Sequence, residues 1–246
     1  MKEKMNNPSQ KSNRMWWVLL AGPILFLLGI LVMSVYYGIA LQGKNVDEIP
    51  NLVAASTPYQ LVAIQILLLI IVSRALKRDG LTWKDIGWKV ADGQQLWREL
   101  LIGAIPGVIL AVLYLYILTP MLTALQQIWD YVPAGDLIMT LGASLIPFAI
   151  ADVLFAPFVE ESIYRGYGLT RLLGKFSQPV AVVLSMFFFG ILHWTGGFWY
   201  ILLTGILAGG LFAWLRLSRK NIIAPFSAHL ALNIVETIFI ITTMRN

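Results

Sequence analysis

Apolar residues in this chain come in long unbroken runs, not in the alternating or three-to-four spacing of a water-soluble fold. After a polar tail over residues 1–15, such runs occupy residues 16–41, 52–72, 100–122, 137–158, 179–194, 199–215 and 222–244. Each approaches the roughly 20 residues that a helix needs to cross the hydrocarbon core of a bilayer. The pattern predicts an all-α, polytopic membrane bundle of about seven transmembrane helices. The first run is 26 residues long, too long for the core of a cleaved signal, and it lacks a small-residue exit site, so a retained span is expected. The longest polar connection, residues 74–99, contains the turn pair Asp79-Gly80; its Leu81, Trp83, Ile86 and Trp88 are expected to lie on the membrane surface. No internal repeat or low-complexity tract breaks the chain, so a single membrane domain over residues 1–246 is expected.

Composition agrees with the runs. Apolar residues make up 58% of the 246 and charged residues 13%, against roughly 45–50% and 25% in soluble domains. Charge is informative by position. With the amino terminus cytoplasmic, the segments on that side hold 16 of the 18 Lys and Arg, and residues 123–136 on the other side carry Asp130 and Asp136 but no cation. The positive-inside rule therefore predicts a cytoplasmic amino terminus, and the net charge of +5 belongs to loops and not to a nucleic-acid partner. Trp16, Trp17, Trp194 and Trp199 suit membrane-interface positions. The chain has no Cys, which excludes disulfides, thiol nucleophiles, iron-sulfur clusters and Cys-based zinc sites.

Charged side chains near a bilayer centre cost at least about 2.5–3.5 kcal/mol on insertion scales, so those present usually face a cavity. Asp152, Glu160, Glu161, Arg165, His193, His229 and Glu236 are the candidates. Glu161 and Arg165 stand four apart and share a helical face, while Glu160 points about 100° away. The chain's two histidines both fall in apolar helices, and Asn233 follows His229 by one turn on the same face. A lone membrane His is more often a helix-to-helix hydrogen bond; two of them joined by a Glu pair favour chemistry. Asp152 and Glu236 read as polar glue or interface residues. Gly205, Gly209 and Gly210, with Ala208, form a small-residue face for close helix packing.

Three patterns, E-E-x-x-x-R at Glu160 to Arg165, F-x-x-x-H at Phe189 to His193 and H-x-x-x-N at His229 to Asn233, stand in this order on three spans. In this set the sequence resembles the CPBP intramembrane proteases, also called the Abi or CaaX-protease and bacteriocin-processing family, whose eukaryotic member is the Ras-converting CaaX endopeptidase. The resemblance covers about residues 137–244, expected as the catalytic core, while residues 1–136 supply three spans that match only in being apolar. It implies a membrane-embedded endopeptidase acting on a membrane-associated peptide or protein.

Hydrolysis needs an activated water, oxyanion stabilisation and a proton for the leaving amine. A carboxylate in a low-dielectric cavity becomes a base suited to neutral pH. The expectation is that Glu160 with His193 activates water and that His229 and Asn233 donate to the oxyanion, as the resemblance also implies. Glu161 and Arg165 would support Glu160. The rival is a metalloprotease with Glu160, His193 and His229 on zinc; H-E-x-x-H is absent and Asn is a poor zinc ligand, so a site without cofactor is preferred. A serine site of the G-x-S-G type fails because Leu145 follows Gly142-Ala143-Ser144, and the Tyr-Asp and G-x-G-D pair of aspartyl intramembrane proteases is missing. Outside peptidase chemistry, the alternatives are bacteriocin self-immunity or membrane regulation, and a small proton-coupled transporter, against which the lack of inverted repeats argues. Short loops and compact size point to a bacterial cytoplasmic membrane.

Simple up-and-down spans leave one conflict: Glu160 sits near the cytoplasmic end of its helix, His229 about 10 Å inside and His193 over 20 Å from the start of its own. They meet only if the His193 helix starts below the membrane plane or the Glu160 helix continues through Arg165 and dips inward.

Overall fold

A computed structural model describes residues 8–90, 93–128 and 145–243. Within them the chain forms seven helical rods: α1 (Pro8–Ala40), α2 (Ile49–Asp79), α3 (residues 96–128), α4 (residues 145–173), α5 (Gln178–Leu192), α6 (residues 197–219) and α7 (Ile223–Thr243). Five apolar stretches, Asn13–Ala40, Val46–Asp79, Leu96–Met121, Trp194–Arg219 and Ile223–Thr242, are long enough to cross a membrane. The protein is a polytopic membrane bundle, and most large apolar side chains of α1 and α3 face outward, where lipid would meet them.

Two expected spans come out differently. The run ending at residue 158 does not stop there, because α4 continues through Arg165 to Leu173, about 18 Å beyond Glu161 at 1.5 Å per residue. This is the expected continuation through Arg165, and the buried Glu161–Arg165 pair explains it: both charges are matched inside the bundle, so neither ends the helix. The other is α5, whose 15 residues reach about 22 Å, short of a roughly 30 Å core. Pro179 in its first turn suits helix initiation; the helix ends at His193, and after a single 3-10 turn over Trp194–Gly196 the chain reverses at Gly197, φ +85°.

Four single π turns interrupt the rods, at Tyr114–Leu118 in α3, Ile150–Phe155 and Ser162–Gly168 in α4, and Thr204–Ala208 in α6. Such bulges re-aim side chains and gather at functional sites. All four lie in the three rods that, with α5 and α7, enclose the interior cavity.

Small residues set the closest approaches. A Cβ on Gly103 or Gly107 of α3 would collide with the carbonyls of Ala224 and Ala228 on α7, and one on Gly190 of α5 would come within 2.6 Å of the Ile201 carbonyl on α6. Without a hydrophobic drive between helices in lipid, such backbone contact is what holds a membrane bundle. Gly205 joins this face, a Cβ there meeting the Met186 carbonyl at 3.0 Å.

One end of the bundle is laced by polar groups. Asp79, side chain fully buried, binds Arg14, Arg171 at 2.5 Å and the Tyr167 hydroxyl at 2.8 Å. Arg219 grips Glu99 through two bonds of 3.0 and 2.6 Å. Asn221 caps α7, its Oδ1 accepting from the Ile223 and Ala224 amides while its Nδ2 donates to Glu99, so an orphaned helix end and a carboxylate satisfy each other. The segment expected on the membrane surface packs against this end. Ile86 is fully buried, Trp83 and Trp88 pack on Phe158 at 5.8 and 4.8 Å, and Trp88 Nε1 donates to Ser162 Oγ at 2.9 Å.

Candidate functional site

A cavity of about 110 Å³, room for several waters, opens among α3 to α7 and is lined by Glu160, His193, His229, Asn233, Phe189 and Phe212, with Asp152, Glu236, Tyr114, Tyr200 and Thr204 among its other walls. The four residues singled out for chemistry, drawn from three rods, therefore face one space.

Glu160 sits on the α4 turn just before the third π bulge. Its Oε1 accepts a hydrogen bond from Gln65 Nε2 at 3.1 Å, whereas Oε2 has no hydrogen-bond partner and lies 4.0 Å from His229 Nε2. Glu161, turned away, is fully buried, with Oε1 3.1 Å from His229 Nδ1 and 3.2 Å from Arg165 Nη1. A carboxylate held by a guanidinium accepts only, so His229 donates from Nδ1 and presents Nε2 to Glu160. Glu161 thus orients a histidine as well as pairing with Arg165. Arg165 is itself fully buried: Nη2 donates to the Gly209 carbonyl at 3.1 Å, and the guanidinium lies over the Phe189 ring, 3.9 Å from its centroid. Stacking on an aromatic face is a favourable way to hold a desolvated guanidinium.

Phe189 has a second task. Its carbonyl oxygen, near the end of α5 where carbonyls lose their helical partners, lies 2.9 Å from His193 Nδ1. A carbonyl only accepts, so His193 carries its proton on Nδ1, and in the neutral ring Nε2 is the acceptor. The His229 ring is stacked on Phe212, centroids 5.0 Å apart.

Asn233 Nδ2 donates to the Asp152 carbonyl at 2.8 Å. That carbonyl is free for a local reason. Its π-turn donor would be residue 157, which is Pro and has no N–H, and the Ala156 amide bonds to Ala151 instead. One amide proton of Asn233 is thereby committed, and the second is available to the cavity.

Among the described residues no three His, Cys, Asp or Glu side chains stand together as ligands to one ion. Asp152 and Glu236, expected as polar glue, line the same cavity.

Residues 142–235 match the family model of Rce1-like type II CAAX prenyl endopeptidases. This segment, under half of the chain, is similar to the Rce1-like family. No curated protein and no solved structure matches the chain. The matched segment contains Glu160, Glu161, Arg165, Phe189, His193, His229 and Asn233, and the family it resembles is one of endopeptidases. Gln65 and Tyr114 reach the site from α2 and α3, outside the Rce1-like segment, and sequence reasoning missed both. Gln65 had one signal, a lone amide inside the apolar run over residues 61–72. Tyr114, whose hydroxyl is 2.7 Å from Thr204 Oγ1, had none among so many aromatics. Phe212 was equally silent.

Proposed function

We propose that the cavity hydrolyses a peptide bond in a membrane-associated peptide or protein, with Glu160, His193, His229 and Asn233 as its catalytic residues and no metal. The observation that supports this reading most is the unpartnered Oε2 of Glu160, buried on a cavity that His193, His229 and Asn233 share. A buried carboxylate oxygen left without a donor is costly, and a water in that cavity would supply one.

In the proposed reaction Glu160 Oε2 takes one proton from this water, while the hydrogen that stays on the oxygen is held in a hydrogen bond to His193 Nε2. The oxygen attacks the substrate carbonyl, whose oxyanion accepts from the free Asn233 Nδ2 proton and from Nε2–H of His229, which enters as an imidazolium and keeps both protons throughout. Glu160 then delivers its proton to the departing amine as the C–N bond breaks, and proton count is conserved. Each oxyanion donor of this kind is worth about 10²–10³ in rate, and a positioned acid–base group about 10²–10⁴. Glu161 holds His229 so that Nε2 meets the substrate, and Arg165 pairs with Glu161 at 3.2 Å. In this reading the amino terminus is cytoplasmic, and water and substrate enter from that side.

The test uses full-length protein in lipid nanodiscs with internally quenched peptides, one a farnesylated CaaX peptide and one unprenylated, as probes. Single Glu160→Gln, His193→Ala and His229→Ala variants are expected to lose at least about 100-fold in kcat/KM at unchanged membrane levels, and a chelator is expected to have no effect. Retained cleavage in all three variants refutes the catalytic assignment and favours a non-enzymatic role, self-immunity or transport. Loss of activity to a chelator, restored by zinc, refutes the metal-free mechanism.

A further inference from the structure

Glu160 is held from behind by a side chain that the hydrolytic steps leave unused. Gln65 lies on the α2 face turned into the bundle, with Ile64, Leu68 and Val72, and no part of it is exposed. Its Nε2 bonds to Glu160 Oε1 at 3.1 Å, and its own Oε1 has no partner. A buried amide with an idle oxygen is an expensive way to tie two helices together in lipid, where an apolar side chain would pack without that penalty. The bond makes sense when Glu160 changes state. Oε2 takes and returns the proton, so Oε1 is an acceptor throughout, first as a carboxylate oxygen and then as the carbonyl oxygen of the acid. Gln65 Nε2–H therefore donates to Oε1 in both states, which keeps the transferred proton on Oε2. The bond is made on the side away from the cavity, and Oε2 stays turned to His229 and water.

We propose that Gln65 is a positioning residue that follows Glu160 through its protonation cycle, keeping Oε2 aimed into the cavity in both states. This rests on Glu160 acting as the base. It also gives the amino-terminal spans, outside the Rce1-like segment, a direct part in the chemistry.

The experiment compares Gln65→Met, which keeps length and volume but bonds to neither state, with wild type in nanodiscs on the same quenched peptides. Gln65→Asn, which keeps the amide but withdraws it by one methylene, serves as the second variant and stands in should the first fold poorly. The expected result is a kcat lower by about 10- to 100-fold, the scale of one hydrogen bond to a charged group, with KM nearly unchanged. The infrared carboxyl stretch of protonated Glu160, assigned by its loss in Glu160→Gln, is expected to move to higher frequency in both Gln65 variants. A kcat within about twofold of wild type in either folded variant overturns the proposal; so does a Glu160 band that stays in place. An inactive wild type is a different failure, that of the peptidase reading itself, and is told apart because there the variants have no rate to lose.

Discussion

Replacing Glu161 by Gln separates charge from shape at the centre of the site. Glu161 and Arg165 are fully buried with 3.2 Å between their charged atoms, and among the described residues no other carboxylate makes an ion pair with Arg165. In Glu161→Gln the guanidinium keeps its charge and is left with the Gly209 carbonyl and the Phe189 face. Removing one member of a buried ion pair costs about 3–5 kcal/mol, because the survivor is uncompensated. Adding Arg165→Met removes that stranded charge and fills much of its volume, so most of the lost stability is expected to return. Activity is not expected to return, since His229 Nδ1 then meets a neutral amide in place of the carboxylate 3.1 Å away. Stability is read by unfolding in mixed detergent micelles and activity by peptide cleavage. The reasoning is refuted if Glu161→Gln costs less than about 1 kcal/mol, the scale of an exposed pair, if the double variant is no more stable than the single, or if it recovers cleavage.

Three further outcomes are expected. Gly107→Ala puts a methyl onto the Ala228 carbonyl and must force α3 from α7, at about 1–3 kcal/mol by overpacking, with loss of cleavage because α7 carries His229 and Asn233; Gly38→Ala, with open space around it, is the neutral control in the same unfolding assay. Thr82 donates its amide and hydroxyl to Asp85 at 2.7 Å each, which holds this carboxyl below its usual range. The folded value lies below the unfolded one, so the turn's stabilisation is complete above the ordinary carboxylate range and fades as the pH falls through the folded value; Trp83 fluorescence should follow that acid limb, and Asp85→Asn should abolish it. Because the chain has no Cys, Ser218→Cys and Lys44→Cys give clean topology reporters: an impermeant maleimide is expected to label Ser218→Cys from the cytoplasmic side and Lys44→Cys from the other, and the reverse result overturns the orientation.

The bundle was legible because lipid imposes a simple rule. Backbone polar groups find no water there, so long apolar runs must be helices, and seven runs became seven rods. The run assigned to 137–158 falls partly outside the described residues, which begin again at 145. Its far end was misjudged because hydropathy counts Glu160, Glu161 and Arg165 as an exit from the membrane. Hydropathy has no means of knowing that Glu161 and Arg165 neutralise each other. The docking of Trp83 and Trp88 was hidden for a related reason, since an apolar face fits lipid and protein equally well.

Residue types and their order along α4, α5 and α7 were enough to nominate Glu160, His193, His229 and Asn233, because ionisable groups are too costly in a bilayer to be placed idly. Which atom does what was decided only by tertiary contact. Glu161 became the partner of a histidine 68 residues away, Gln65 the partner of a carboxylate 95 residues away, and Pro157 freed a carbonyl that Asn233 could take. Hydrophobicity and spacing are local properties of a chain, written residue by residue. The direction in which a hydrogen-bonding atom points depends on which other rod stands opposite it, and that is settled by the crossing of helices at their glycines.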